Sequence, residues 1–163
     1  MAIKVLVCGG TFDKEYDEIK ERLIFKETHL PEMLKRGRCR LDLDIRTVVL
    51  IDSLEMTKAD RKIILETCQK SEEDKIVITH GTSTMAETAR FLGKSIKDKT
   101  IVLTGAMSPY AFGSSDGLFN LGCALAFVQA LPHGVYVAMN GRYFTWDNVR
   151  KNESTGIFET LKI

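Results

Sequence analysis

Five short apolar runs, IKVLVC at 3–8, IRTVVLI at 45–51, KIVIT at 75–79, TIVLTG at 100–105 and GVYVAMN at 134–140, set the limits on what this chain can become. A strand with one wet face alternates apolar and polar residues. These runs are instead nearly continuous in Val, Ile and Leu, the pattern of strands covered on both faces, and they predict a parallel sheet. Helical stretches separate them: 58–70 behind a Thr57/Asp60 start signal, 83–95 behind Thr82, and 115–131 behind Ser114 or Ser115. The first puts Ile63, Ile64 and Cys68 on one side. The last is apolar nearly all round, at Leu118, Phe119, Leu121, Leu125, Ala126 and Val128, and is expected to be deeply buried. A shorter helix near 29–38 has Pro31 in its opening turn and Gly37 at its end. Strand followed by helix, repeated, predicts an α/β fold: an open doubly wound parallel sheet with helices on both faces and right-handed crossovers. The chain of 163 residues, 44% hydrophobic, reads as a single domain over 1–163. Residues 145–163 read as an irregular excursion with a short strand at 156–161.

Charge narrows the partners. Lys+Arg 23 against Asp+Glu 22, interspersed along the chain, lacks the footprint of a nucleic-acid binder, so a small-molecule partner is expected. Cys8, Cys39, Cys68 and Cys123 form no C-x-x-C pair, and His29, His80 and His133 are as scattered, so no metal site is expected. With no G-x-G-x-x-G and no G-K-[ST], no nucleotide cofactor is expected either. No run approaches the length of a membrane span, and the first is too short for a signal peptide's apolar region. A reduced, cytoplasmic protein with its thiols mostly buried is the expectation.

In an open α/β sheet, ligands bind where strands end, which directs attention to GGTFDKEYDE, DSLEMT, HGTST and GAMSPYAFGSSDG. Gly9-Gly10-Thr11 alone reads as a tight turn with a capping hydroxyl, although paired glycines also let a ligand approach the main chain. A threonine hydroxyl becomes a nucleophile only if something takes its proton, and Tyr16 offers a phenol in the same loop. Thr82, Ser83 and Thr84 supply more hydroxyls than one helix cap needs. At a helix start, Thr82 would meet backbone N–H groups that favour an anion or a developing oxyanion. Lys151 alone reads as a solvated cation; folded back over the strand ends, it would lose its proton more easily and could activate a threonine.

Taken in order, VCGGTFD, IDSLEMT, VITHGTSTMAETARFL, VLTGAMSPYAFGSSDGLFN and DNVRKNEST resemble the amino-terminal domain of the bacterial-type L-asparaginases over essentially the whole chain. Each motif is weak alone, and the ordered set is highly specific. The resemblance implies hydrolysis of the side-chain amide of asparagine to aspartate and ammonia, through an acyl-enzyme, in a homodimer or homotetramer. It matches Thr11 to the nucleophile and Tyr16 to the loop tyrosine, here closer to Thr11 than in the long enzymes. It matches Thr82 to the second catalytic threonine, whose side chain handles water or a proton and whose N–H helps form the oxyanion hole. Lys151 matches that threonine's lysine partner, and Ser53 the serine that holds the substrate's α-carboxylate. The expected substrate-lining set is Gly10, Ser53, Leu54, Glu55, Gly81, Ser83 and Ala106.

The chain departs from that pattern in three places. Ser83 stands where the long members carry an aspartate that contacts the substrate ammonium and partners the lysine. Leu54 replaces a polar residue. The family's carboxy-terminal domain is read as absent, and with it an acidic residue that a neighbouring subunit contributes. An ammonium buried without a counter-charge would cost several kcal/mol. Glu55, with Asp52 behind it, is the candidate replacement; a surface glutamate ahead of the Thr57 cap is the competing reading. Hydrolysis of another small amide and a non-catalytic ligand-binding role are the alternatives.

Overall fold

A computed structural model describes residues 2–161. In chain order it comprises β1 (Ile3–Gly9), β2 (Glu15–Asp17), β3 (Arg22–Ile24), α1 (Leu30–Arg36), β4 (Leu43–Ile51), α2 (Lys58–Lys70), β5 (Lys75–Thr79), α3 (Met85–Gly93), β6 (Thr100–Thr104), α4 (Gly117–Ala130), β7 (Gly134–Met139), β8 (Arg142–Thr145), β9 (Arg150–Lys151) and β10 (Phe158–Glu159). The central sheet has the order β4-β1-β5-β6-β7-β8. Its first five strands are parallel, while β8 returns antiparallel on β7.

The continuous apolar runs do become strands buried on both faces. Leu6, Cys8, Ile76, Ile78, Ile101 and Leu103 point into one core with Ile64 and Cys68 of α2 and Met85, Ala89 and Leu92 of α3. Val5, Val7, Val77, Val102 and Ala138 point into the other, with Leu30 and Met33 of α1 and Leu121, Ala124 and Val128 of α4. Thr57 and Asp60 form the expected capping box on α2, each bonding the other's backbone N–H.

Four expectations need correction. First, β4 lies at a sheet edge, so none of its residues is fully buried: Asp44, Arg46 and Thr47 are exposed and the others half-buried. The polar Asp44 hides the strand's true start at Leu43, and in the fold it pairs with Lys4 of β1. Second, β8 is an extra antiparallel strand entered through Asn140-Gly141, both with positive φ (59° and 77°), a two-residue hairpin turn whose Asn-Gly signal was present in the sequence. Third, α4 begins at Gly117 and does not bury its whole circumference: Phe119 is 61% exposed and Ala126 faces out. Fourth, the crossovers are not all of one hand. The α3 and α4 connections run the same way along the sheet, yet their helices cover opposite faces. By the same comparison, the α1, α2 and α3 crossovers share one hand and β6–α4–β7 has the other. The usual rule assumes that a strand feeds its helix directly. Here residues 105–116 intervene and carry the chain round the end of the sheet to the other face.

Among the described residues, no helix is long and apolar enough to cross a membrane.

Candidate active site

Chain order reverses beside β1: the chain leaves it for β4 on one side, then returns past it to β5 on the other. Such a switch point opens a crevice at the carboxyl ends of the strands. The loops after β1 and β5 meet there, main chain to main chain. A Cβ on Gly10 would lie 2.4 Å from both Cα and N of Gly81, and a Cβ on Gly81 would lie 2.5 Å from Ser53 Oγ, in the loop after β4. Gly10, Gly81 and Ser53 therefore form one stack, with Thr11 next to Gly10 and Thr82 next to Gly81. The first loop is further tied down by Gly10 N–H donating to Ile51 O at 3.0 Å and by a Lys14–Asp52 ion pair. That ammonium, together with the Leu54 N–H, holds the Asp52 carboxyl below its ordinary range. Asp13, fully buried, accepts from His29 N–H and the Thr28 hydroxyl; burial nevertheless pushes its carboxyl upward.

The HGTST turn is arranged differently from its sequence reading. Helix α3 starts at Met85, and the Thr84 side chain makes no cap bond. Ser53 supplies the cap from another loop: its hydroxyl accepts from Thr84 N–H at 3.3 Å, and its carbonyl accepts from the Thr84 hydroxyl at 2.9 Å. Thr82 is thereby left free of capping duty. It is buried to 7% exposure, and the Lys151 ammonium donates to its Oγ1 at 2.9 Å. The excursion at the end of the chain makes this contact. Lys151 lies on β9 directly opposite Phe158 of β10, and Phe158 is fully buried in the core, so the apolar anchor on one strand sets the position of the lysine on the other. Phe158 N–H also donates to Asn140 Oδ1 at 3.0 Å.

Thr82, Ser83, Lys151, Glu87 and Glu153 share one cleft of about 210 Å³. Ala106 is buried beneath the neighbouring loop, which Asp116 and Asn120 clamp. Asp116 accepts from the N–H groups of Met107 and Ser108, and the Asn120 amide donates to Gly105 O and to Asp116. The remaining predicted residues, Tyr16, Leu54 and Glu55, lie on exposed segments. Tyr16 sits on the β2–β3 hairpin, 55% exposed, beside a separate surface recess. Leu54 and Glu55 occupy an exposed turn.

Sequence reasoning missed the buried polar residues behind the turn. His80 Nδ1 lies 2.8 Å from Gly81 O, its Nε2 lies 2.8 Å from the Thr88 hydroxyl, and Arg61 Nε donates to that hydroxyl at 2.9 Å. The available signal was His80 ending an apolar strand while Thr88 falls on the buried stripe of α3. Burial is the main reason that the His80 pKa drops from 6.5 to about 4. The unfolded chain binds this proton near pH 6.5 and the folded chain does not until about pH 4. Stability present above pH 6.5 is therefore lost as pH falls through that window, by up to about 3 kcal/mol. Urea unfolding from pH 7 to 4 should show this slope in the wild type and not in His80→Gln; equal slopes would contradict it.

A family model described as "Asparaginase, N-terminal" matches residues 2–160. The L-asparaginase of Thermococcus kodakarensis is 30% identical over 162 residues, covering 96% of this chain and 49% of that protein. The thermostable L-asparaginase structure from the same organism has a TM-score of 0.88 and covers 100% of this chain and 52% of its own. A probable cytoplasmic L-asparaginase from Campylobacter jejuni has a TM-score of 0.81 at 33% identity, covering 99% and 53% respectively. L-asparaginase 2 of Escherichia coli (strain K12) is 41% identical over 110 residues, 65% of this chain and 30% of that protein. The chain spans about half, or less, of the length of these relatives. With the loops after β1, β4 and β5 meeting at the carboxyl ends of the strands and the family model matching from residue 2 to residue 160, the chain belongs to the asparaginase family, as its amino-terminal domain.

Proposed function

We propose that this domain carries the threonine machinery of an amidohydrolase that converts L-asparagine to L-aspartate and ammonia. One observation carries the reading: Lys151 Nζ lies 2.9 Å from Thr82 Oγ1, at the turn packed on the glycine next to Thr11. Thr11 Oγ adds to the carboxamide carbon, and the Thr82 N–H faces the oxygen that becomes negative. The hydroxyl proton passes to the amine, which leaves as ammonia, and an aspartyl ester remains on Thr11. When Lys151 sheds a proton, the 2.9 Å bond reverses: Thr82 donates to the amine and in turn orients the water that hydrolyses the ester. Water supplies the carboxylate oxygen, and aspartate is released.

Tyr16 reaches Thr11 by closure of the β2–β3 hairpin, whose apolar tip residue Ile19 is solvent-exposed. Ser53 and Glu55 face the substrate's carboxylate and ammonium, with Gly10, Leu54, Gly81, Ser83 and Ala106 around them, in a homodimer or homotetramer. Cys8 and Cys68 are buried thiols, the latter pushed up to about 12 mainly by burial, and all four cysteines are free, which suits the cytoplasm. Ser83 is neutral and supplies no counter-charge for the substrate's ammonium, so hydrolysis of another small amide is the second reading.

Purified protein should release ammonia from asparagine, and rapid quenching followed by intact mass should detect an aspartyl adduct that Thr11→Ala lacks. Preference for another amide in a substrate panel would favour the second reading. No release from any amide would overturn both, and an adduct on Thr11→Ala would remove Thr11 as nucleophile.

A further inference from the structure

We propose that Arg61, Thr88 and His80 form a one-way hydrogen-bond relay that aims the Thr82 N–H at the reacting carbonyl oxygen, making Thr88 a positioning residue of the site. The inference rests on the amidohydrolase reading for its kinetic consequence, though not for its geometry. The direction of every bond follows from chemistry. A carbonyl cannot donate, so at the 2.8 Å contact with Gly81 O it is His80 Nδ1 that carries the hydrogen. A neutral imidazole then has only a lone pair at Nε2, and the Thr88 hydroxyl must donate its single hydrogen there, across 2.8 Å. That leaves the Thr88 oxygen as acceptor for Arg61 Nε at 2.9 Å. Burial keeps the imidazole neutral down to about pH 4, so this order of donors holds across neutral pH.

The relay is sealed from water. Arg61 is 6% exposed, and both Thr88 and His80 are fully buried. The guanidinium is held at its far side, where Nη1 donates to Met56 O at 3.3 Å and lies 3.5 Å from Glu87. Its target matters because a trans peptide is a rigid plane: the carbonyl of Gly81 and the N–H of Thr82 belong to one unit and point in opposite directions. Fixing the carbonyl on His80 therefore fixes where the Thr82 N–H points. Donor chains in a dry interior also polarise one another, so a guanidinium at the head strengthens that N–H as a donor to a developing oxyanion. Close packing holds the chain just before this peptide, where Gly10 meets the His80–Gly81 main chain and Gly81 meets Ser53.

Three variants and one spectroscopic measurement test the proposal. Thr88→Val keeps the shape and removes the hydroxyl, and it is expected to lower kcat for asparagine about 10- to 100-fold with KM within about threefold. Thr88→Ser, which retains the donor, should return kcat to within about threefold of wild type, and Arg61→Met should fall between them. The ¹⁵N shifts of the His80 ring should show the Nδ1–H tautomer in the wild type and a mixture in Thr88→Val. A wild-type ring protonated on Nε2 would overturn the relay whether or not the protein turns over asparagine. So would wild-type kcat in Thr88→Val. If Thr88→Val does not fold, the wild-type tautomer and the kcat of Arg61→Met decide the matter. If the wild type has no activity while the tautomer is as stated, the relay stands and the amidohydrolase reading falls.

Discussion

Lys151→Met is expected to lower kcat for asparagine about 10³-fold with KM little changed, and adding Thr82→Val to lower it scarcely further. Methionine keeps the length and apolar stem of lysine but can neither donate nor take a proton. The loss should be chemical and not structural, because β9–β10 is held by Phe158 in the core, by Arg150 paired with Glu159 and by Arg90 on Val149 O. The 2.9 Å bond makes Lys151 and Thr82 one functional unit, and removing either member removes the unit. Non-additivity is the expected signature of residues that act together. Steady-state kinetics on the two single variants and the double variant would check it. Multiplied losses in the double variant would place the two residues in separate steps.

Gly10→Ala is expected to destabilise the fold by about 4 kcal/mol or more, lowering Tm by more than about 10 °C, whereas Gly122→Ala should be neutral or stabilising by up to about 1 kcal/mol. At Gly10, φ 77° and ψ −177° fall in a region open essentially to glycine alone. The added Cβ would also sit 2.4 Å from backbone atoms of Gly81, and backbone cannot rotate aside as a side chain can. Gly122 lies on the exposed face of α4 with nothing within 4 Å of such a carbon, so alanine there improves helix propensity alone. Thermal and urea unfolding of both variants would settle the contrast. A Gly10→Ala protein as stable as the wild type would mean that the loops after β1 and β5 do not stack main chain to main chain.

Much of this molecule could be read directly. The runs at 3–8, 75–79, 100–105 and 134–140 became central strands within a residue or two, because a strand covered on both faces has no position where water rewards a polar residue. Thr57 and Asp60 announced α2 because a capping box depends on contacts three residues apart. Local chemistry failed where a partner came from elsewhere. Asp44 broke the apolar pattern of β4 because it answers Lys4 on the adjacent strand. The hydroxyls at 82–84 suggested a self-contained cap, yet the cap comes from Ser53, 31 residues away in sequence.

The candidate site divides along the same line. The resemblance carried by the ordered motifs made Thr11, Thr82 and Lys151 the candidates, while hydrophobic period, a local property, placed the threonine loops after strands. The tertiary structure alone decided that Lys151 is seated on Thr82 across 69 residues, that Gly10 and Gly81 touch, and that α4 crosses to the face opposite α3. It also decided that Arg61, Thr88 and His80 line up behind the turn. The reason is range. Dihedral preference and amphipathic spacing act over a few residues, whereas a buried polar group is stable only where the whole fold brings it a partner, and no single stretch of sequence contains both halves of such a pair.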